Sequence, residues 1–293
     1  MLWFHRRCRF GSALFAALIA LPALLPARSL HDVEYAAPDG RPLMMDGYVP
    51  DGKGPYPAAI LVHGGAWVLG NRASIRPLFE PLQDAGFAWF SIDYRLADFS
   101  DLSKLLSPDG VKTVTGASDD VRAAVAYVKN AAADLHVDPS RIVLIGESAG
   151  AQLAEVAALT PAEGGDVAGL VGFFGPTDLG ELAKTSDRVP PPLRQALTGS
   201  VLGQMLLTGL QGLSPKYMVG AMAPPFLLFH GTEDRLVPLN QSEEMCDAMH
   251  QAHQTCDLVT VTGGGHGLRR WERDASLSGY KNRLMTWLQQ FLK

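Results

Sequence analysis

Three cysteines in 293 residues, at positions 8, 246 and 256, are too few for a disulfide-dense mini-domain and are not clustered as zinc ligands are. The eight histidines do not cluster with them, so the sequence predicts no metal and no cofactor. Long apolar runs are also scarce. The longest, from Ser12 to about Leu25, falls short of the roughly 20 residues that span a bilayer, and Pro22 interrupts it. No internal repeat and no low-complexity linker divides the chain. With 47% hydrophobic and only 19% charged residues, this length suits one large core.

The first 29 residues differ from the rest. Arg6, Arg7 and Arg9 precede the apolar run, and Ala27-Arg28-Ser29 follows it at the place where a signal peptidase cuts. Residues 1–29 therefore read as a secretory signal peptide, which predicts a secreted or periplasmic product with no stable membrane insertion. Cys8 lies before the apolar run, the wrong end for a lipid-modified cysteine. Four of the 25 basic residues are arginines of this leader, which contains no acid; against 30 acidic residues, the remainder carries a net charge of −9. Such a surface repels nucleic acid and suits a small, neutral or weakly charged substrate.

From residue 30 onward the chain reads as one domain. His31–Tyr35 and Leu43–Tyr48 alternate in polarity and predict an opening antiparallel pair. Ala58–Val62, Ala88–Ile92, Ile142–Ile145, Leu170–Phe174, Pro225–Phe229 and Leu258–Val261 are short and largely apolar, as strands buried on both faces of a parallel sheet are. Between them, Val121, Ala124, Val125 and Val128 form a helical stripe after a Ser118-Asp119-Asp120 start. Tyr280, Leu284, Trp287, Leu288 and Phe291 form another. The alternation predicts an α/β class, with a mostly parallel doubly wound sheet and helices on both faces. The stretch from Gly175 to Pro224, containing Pro190-Pro191-Pro192, is too long for a plain connection and reads as a small lid at about residues 176–223.

Gly146-Glu147-Ser148-Ala149-Gly150 follows the strand ending at Ile145 and precedes a helical run. A serine at such a sharp turn has its hydroxyl lifted clear of the sheet, and the helix N-terminus favours developing negative charge. Serine needs a base, and His266, in the flexible Gly263-Gly264-Gly265-His266-Gly267 loop after the last strand, is the best placed. Asp234, just past the strand at Pro225–Phe229, is the carboxylate to orient it, with the adjacent Glu233 as an alternative. His63-Gly64-Gly65-Ala66-Trp67 follows another strand and supplies backbone N–H donors: Gly65 and Ala66, with Ala149, form the predicted oxyanion hole. Trp67 is a candidate wall for the acyl group. Gly47–Gly54 approximates a phosphate-binding loop but lacks the magnesium-binding hydroxyl, and Pro55 and Pro57 preclude the following helix, so it reads as an exposed turn.

Together His63-Gly64-Gly65, Asp93-Tyr94-Arg95, Gly146-Glu147-Ser148-Ala149-Gly150, Asp234 and Gly265-His266-Gly267 resemble the α/β-hydrolase esterases. The branch most similar holds feruloyl and acetylxylan esterases and their hormone-sensitive-lipase-like relatives, and the match covers about residues 55–290. The resemblance implies an α/β-hydrolase fold and a serine esterase acting on short acyl or aromatic esters, with acetyl or feruloyl groups on carbohydrate as candidates. It also implies that Asp93-Tyr94-Arg95 brace the sheet and the oxyanion loop. Two positions depart from the pattern: Ala66 replaces a third glycine, and Ala151-Gln152 stand where relatives often have glycine and histidine. A peptidase of the same fold usually carries a further large domain, for which this length leaves no room, and a catalytically dead binding protein would be expected to lack one of the three site residues. Cys246, on a helix predicted from about Gln241 to His253, and Cys256, at the next strand, are close enough along the chain to pair as a disulfide.

Overall fold

The computed structural model describes residues 26–97, 108–162, 165–186 and 189–292. Strands β1 (Arg28–Ala36), β2 (Leu43–Val49), β3 (Tyr56–Val62), β4 (Ala88–Ile92), β5 (Val137–Glu147), β6 (Gly169–Phe173), β7 (Phe226–Gly231) and β8 (Cys256–Val261) form one sheet in the order β1-β2-β4-β3-β5-β6-β7-β8. β1 and β2 pair antiparallel, as do β2 and β4, and every pairing from β4 to β8 is parallel.

Among the described residues the helices are α1 (Phe79–Asp84), α2 (Pro108–Asn130), α3 (Ala149–Leu159), α4 (Leu179–Thr185), α5 (Pro191–Gly199), α6 (Val201–Gln211), α7 (Asn240–Gln251), α8 (Leu268–Trp271) and α9 (Tyr280–Leu288). Successive strand side chains point to opposite faces, so β3 sends Ile60 and Val62 one way and Ala59 and Leu61 the other. On the first face they meet Val121, Val125 and Val128 of α2, Leu153 and Ala157 of α3, and Met245 and Met249 of α7. On the second they meet Leu82 of α1 and Leu284, Trp287 and Leu288 of α9. This is the α/β-hydrolase arrangement, with helices on both faces of a mostly parallel sheet. Among the described residues no helix is long and apolar enough to cross a membrane.

Several boundaries differ from those read in the sequence. α2 begins ten residues before Ser118. The Ser118 hydroxyl donates back to Val114 O at 3.4 Å instead of capping a helix start. Asp120 is occupied by Arg95, whose Nε and Nη2 donate to its two oxygens at 2.9 and 2.6 Å. α7 stops at Gln251, before His253, which turns the chain at φ +61°. Gly47 belongs to β2, not to an exposed turn, and packs against Phe90 of β4.

The stretch between β6 and β7 is helical, made of α4, α5, α6 and a 3-10 turn, Pro215–Tyr217. Pro191 and Pro192 open α5, where a missing N–H costs no helical hydrogen bond. At the other end of the chain, β1 starts at Arg28, and Arg28 and Ser29 pair with Val49 and Tyr48 of β2. The strand thus includes two residues of the leader assigned to 1–29, whose first 25 residues lie outside the described ones. Cys246 on α7 and Cys256 on β8 are joined by a disulfide, with Cα atoms 5.2 Å apart.

Candidate active site

β5 ends at Glu147, α3 starts at Ala149, and Ser148 takes the turn between them alone, at φ +54° and ψ −121°. A non-glycine residue in this region costs about 1–3 kcal/mol and persists only where its surroundings fix it. Here the Ser148 amide donates to Phe173 O of β6 at 2.9 Å, and Ser148 O accepts from Ala151 and Gln152 as α3 begins. Gly150 is required because a Cβ there would collide with the carbonyl oxygens of Val62 and His63. Removing that side chain lets the nucleophile turn and the loop after β3 lie against each other.

The loops after β7 and β8 bring Asp234 and His266 to this turn. His266 Nδ1 donates to Asp234 Oδ2 at 2.7 Å, and Ser148 Oγ donates to His266 Nε2 at 2.8 Å. Asp234 Oδ1 accepts from the amides of Leu236 and Val237 at 2.8 and 3.0 Å, so both carboxylate oxygens are engaged. Burial opposes ionisation of Asp234. The bond and charge of His266 and the two amides outweigh it and hold the carboxyl below the usual aspartate range. Glu233, the alternative acid, is exposed and does not take part.

The loop predicted to hold the oxyanion donors follows β3. Gly65, at φ +128°, accepts through its carbonyl from the amides of Val68 and Leu69, and a Cβ on it would strike Leu69 O. Ala66 and Trp67 follow at φ +52° and +63°. The amides of Gly65, Ala66 and Ala149 engage no acceptor among the described residues, which leaves them available to an incoming oxyanion. The Asp93-Tyr94-Arg95 segment after β4 braces this loop. The Tyr94 hydroxyl donates to His63 O at 3.0 Å while its ring stacks on the His63 ring, with centroids 4.3 Å apart. Arg95 ties the segment to α2 through Asp120, and Asp93 accepts from the Arg72 amide at 2.8 Å.

Four residues that sequence reading did not assign to the site support it from behind. His230, at the end of β7, is fully buried: its Nε2–H donates to Val237 O at 2.9 Å and its Nδ1 accepts from Ser242 Oγ at 2.7 Å. Burial holds its pKa below the usual histidine value, and the neutral ring fixes the turn that carries Asp234. Glu147 accepts from the Leu268 amide at 3.1 Å and ties the nucleophile turn to α8. Phe174, at φ +40°, sets its ring 4.7 Å from that of His266. Gln152 joins Trp67 to Leu213. Glu147 belongs to the Gly146–Gly150 motif itself, but no local pattern gives the roles of Glu147, Phe174 and Gln152, because each acts through a partner distant in the chain.

Beside the oxyanion loop, Trp67 helps to line a cavity of about 130 Å³ with Val111, Val114, Leu179, Leu182, Ala183, Ser186, Val189, Leu210 and Leu213. Its walls come from α2 and from the helical insertion, and among the described residues Ser186 is the one polar residue in them.

The model of the BD-FAE family matches residues 45–249. The "Probable carboxylic ester hydrolase LipM" of Mycobacterium tuberculosis is 32% identical over 212 residues, covering 68% of this chain and 46% of that protein. The chain thus spans about half the length of the curated relatives it matches. Among solved structures, a thermophilic esterase of Thermogutta terrifontis, Est2, is 25% identical with a TM-score of 0.69, covering 89% of this chain and 90% of that one. It has also been solved with propionate and with butyrate bound. A truncated carbohydrate esterase from gut microbiota is 25% identical with a TM-score of 0.67, covering 90% of this chain and 96% of that one. With a family model that matches more than half of its length and this sheet order, the chain belongs to the BD-FAE family of α/β-hydrolase esterases.

Proposed function

We propose that this protein hydrolyses carboxylic esters through Ser148, His266 and Asp234. The observation that carries this reading is the unbroken hydrogen-bonded run from Asp234 through His266 to Ser148. As Ser148 Oγ attacks the ester carbonyl, its proton passes to His266 Nε2. The resulting imidazolium keeps its Nδ1–H on the ionised Asp234. The tetrahedral oxyanion is met by the amides of Gly65, Ala66 and Ala149, each such donor being worth roughly 3–4 kcal/mol of barrier. Collapse expels the alkoxide, which takes the proton from Nε2. Water, deprotonated by the same nitrogen, then releases the acid from Ser148.

The substrate class is short acyl or aromatic esters, with acetyl or feruloyl groups on carbohydrate as candidates. The largely apolar cavity of about 130 Å³ beside Trp67 supports an acyl group of a few carbons, since an apolar void of about 150 Å³ holds a benzene-sized molecule. The propionate and butyrate forms of Est2 and the likeness to a carbohydrate esterase point the same way. The leader-like residues 1–29 support a secreted or periplasmic location, which cell fractionation tests. For the chemistry, the purified protein is assayed on acetyl, butyryl, octanoyl and feruloyl esters and labelled with a fluorophosphonate. Hydrolysis together with labelling lost in Ser148→Ala is expected. Labelling that persists in that variant sinks the assignment of the nucleophile.

A further inference from the structure

Gln152 lies one helical turn beyond Ser148 and is completely buried. Its amide has a partner at each end. Trp67 Nε1 donates to Oε1 at 2.8 Å, and Nε2 donates to Leu213 O at 2.8 Å. One side chain therefore connects the helix behind the nucleophile, the oxyanion loop, and the point where α6 of the insertion returns to the main domain. Those elements lie 61 to 85 residues from Gln152 along the chain.

What the connection holds is a conformation that the loop would not adopt alone. Ala66 and Trp67 are consecutive non-glycine residues in the left-handed region, which L-residues visit as isolated exceptions. Ala66 contributes one of the proposed oxyanion amides, so any relaxation of this pair toward ordinary backbone moves a donor away from Ser148. The loop also packs closely there, since a Cβ on Gly64 would lie 3.3 Å from Ser148 Cβ. Two bonds anchor Trp67 from outside the turn: its carbonyl accepts from the Ala97 amide at 2.9 Å, and its indole N–H donates to Gln152. Trp67 and Leu213 also both line the apolar cavity, so the same amide sets the spacing of two of its walls.

Resting on the esterase reading above, we propose that Gln152 is a positioning residue for the reaction. It locks Trp67 to the root of the insertion and thereby holds the Ala66–Trp67 turn in the shape that aims its amide at the oxyanion. The role requires one acceptor and one donor in fixed places. A neutral histidine also supplies one of each, whereas methionine matches the length of glutamine without the donor.

The test compares kcat and KM for an acetyl ester in wild type, Gln152→Met, Gln152→His, Trp67→Phe and the double variant Gln152→Met/Trp67→Phe. Concentrations are normalised by fluorophosphonate titration, so that only folded, reactive protein is counted. Gln152→Met is expected to lower kcat at least tenfold with KM within threefold, and Gln152→His to recover at least half of that loss on a logarithmic scale. Trp67→Phe keeps a ring but removes the indole donor, and should lower kcat similarly. The double variant should be no worse than the poorer single one, because both substitutions break the same bond. If Gln152→Met does not fold, Trp67→Phe alone decides by the same tenfold criterion. A kcat within threefold of wild type, a loss in KM alone, no recovery with histidine, or losses that multiply in the double variant overturns the proposal. An inactive wild-type protein instead overturns the esterase reading itself, so the two failures are distinguishable.

Discussion

Replacing Asp234 with asparagine is a sharp test of the site, because the surrounding amides dictate how the new side chain must sit. Asp234 Oδ1 accepts from Leu236 and Val237, and an asparagine there must keep its only oxygen on those two donors. Its NH2 is then forced toward His266 Nδ1, where Oδ2 now lies 2.7 Å away. Two N–H groups cannot share that position, so the imidazole moves its proton to Nε2. Nε2 then cannot accept from Ser148. The expected outcome is a fall in kcat of about 10⁴, as the same change produces in a serine protease, equivalent to about 5.4 kcal/mol of barrier. The fold should persist, because both amide bonds survive. Replacing Ser148 or His266 should cost more, since the residual catalysis of the asparagine variant still uses both. The assay is steady-state hydrolysis of an acetyl ester, with Glu233→Gln as a control whose exposed side chain predicts kcat within twofold of wild type. Less than a tenfold loss in Asp234→Asn, or a larger loss in the control, refutes the reasoning.

Glu155 on α3 is buried, with no hydrogen-bond partner for Oε2, and burial raises its pKa well above the usual glutamate value. The unfolded chain ionises near pH 4.5 while the folded one does not, so stability falls as pH rises from there toward the folded pKa, by up to ~1.4 kcal/mol per pH unit. Glu155→Gln should therefore show a Tm advantage over wild type that grows above pH 4.5, and a pH-independent difference would contradict this. The Cys246–Cys256 bridge closes a short loop and should contribute about 2–3 kcal/mol. Titration of the denatured, unreduced protein expressed with its leader should find no free thiol at these positions, and two per chain would refute the bridge. From the cavity size, an acetyl ester should turn over faster than an octanoyl ester, and the reverse order in the acyl panel counts against the short-chain reading.

The sequence by itself determined the sheet and the order of its site. Strands such as Ala58–Val62 are apolar on both faces, which only a sheet covered on both sides can accommodate, and β3 has that environment. Glycines at 64, 65, 146 and 150 mark the loops where backbone passes close to backbone, and that need is local enough to be written in adjacent residues. The start of α2 was not legible in this way. Ser118 and Asp120 carry the chemistry of a helix cap, and only Arg95, 25 residues away, shows that Asp120 serves another purpose. The exclusion of Glu233 likewise depends on which of two neighbouring carboxylates the turn after β7 directs inward. His230, Phe174 and Gln152 support the site across separations of 7 to 92 residues. Their positions follow from packing of the whole sheet and its insertion, because a hydrogen bond between distant segments leaves no periodicity or spacing in the sequence. Tertiary structure alone decided those contacts.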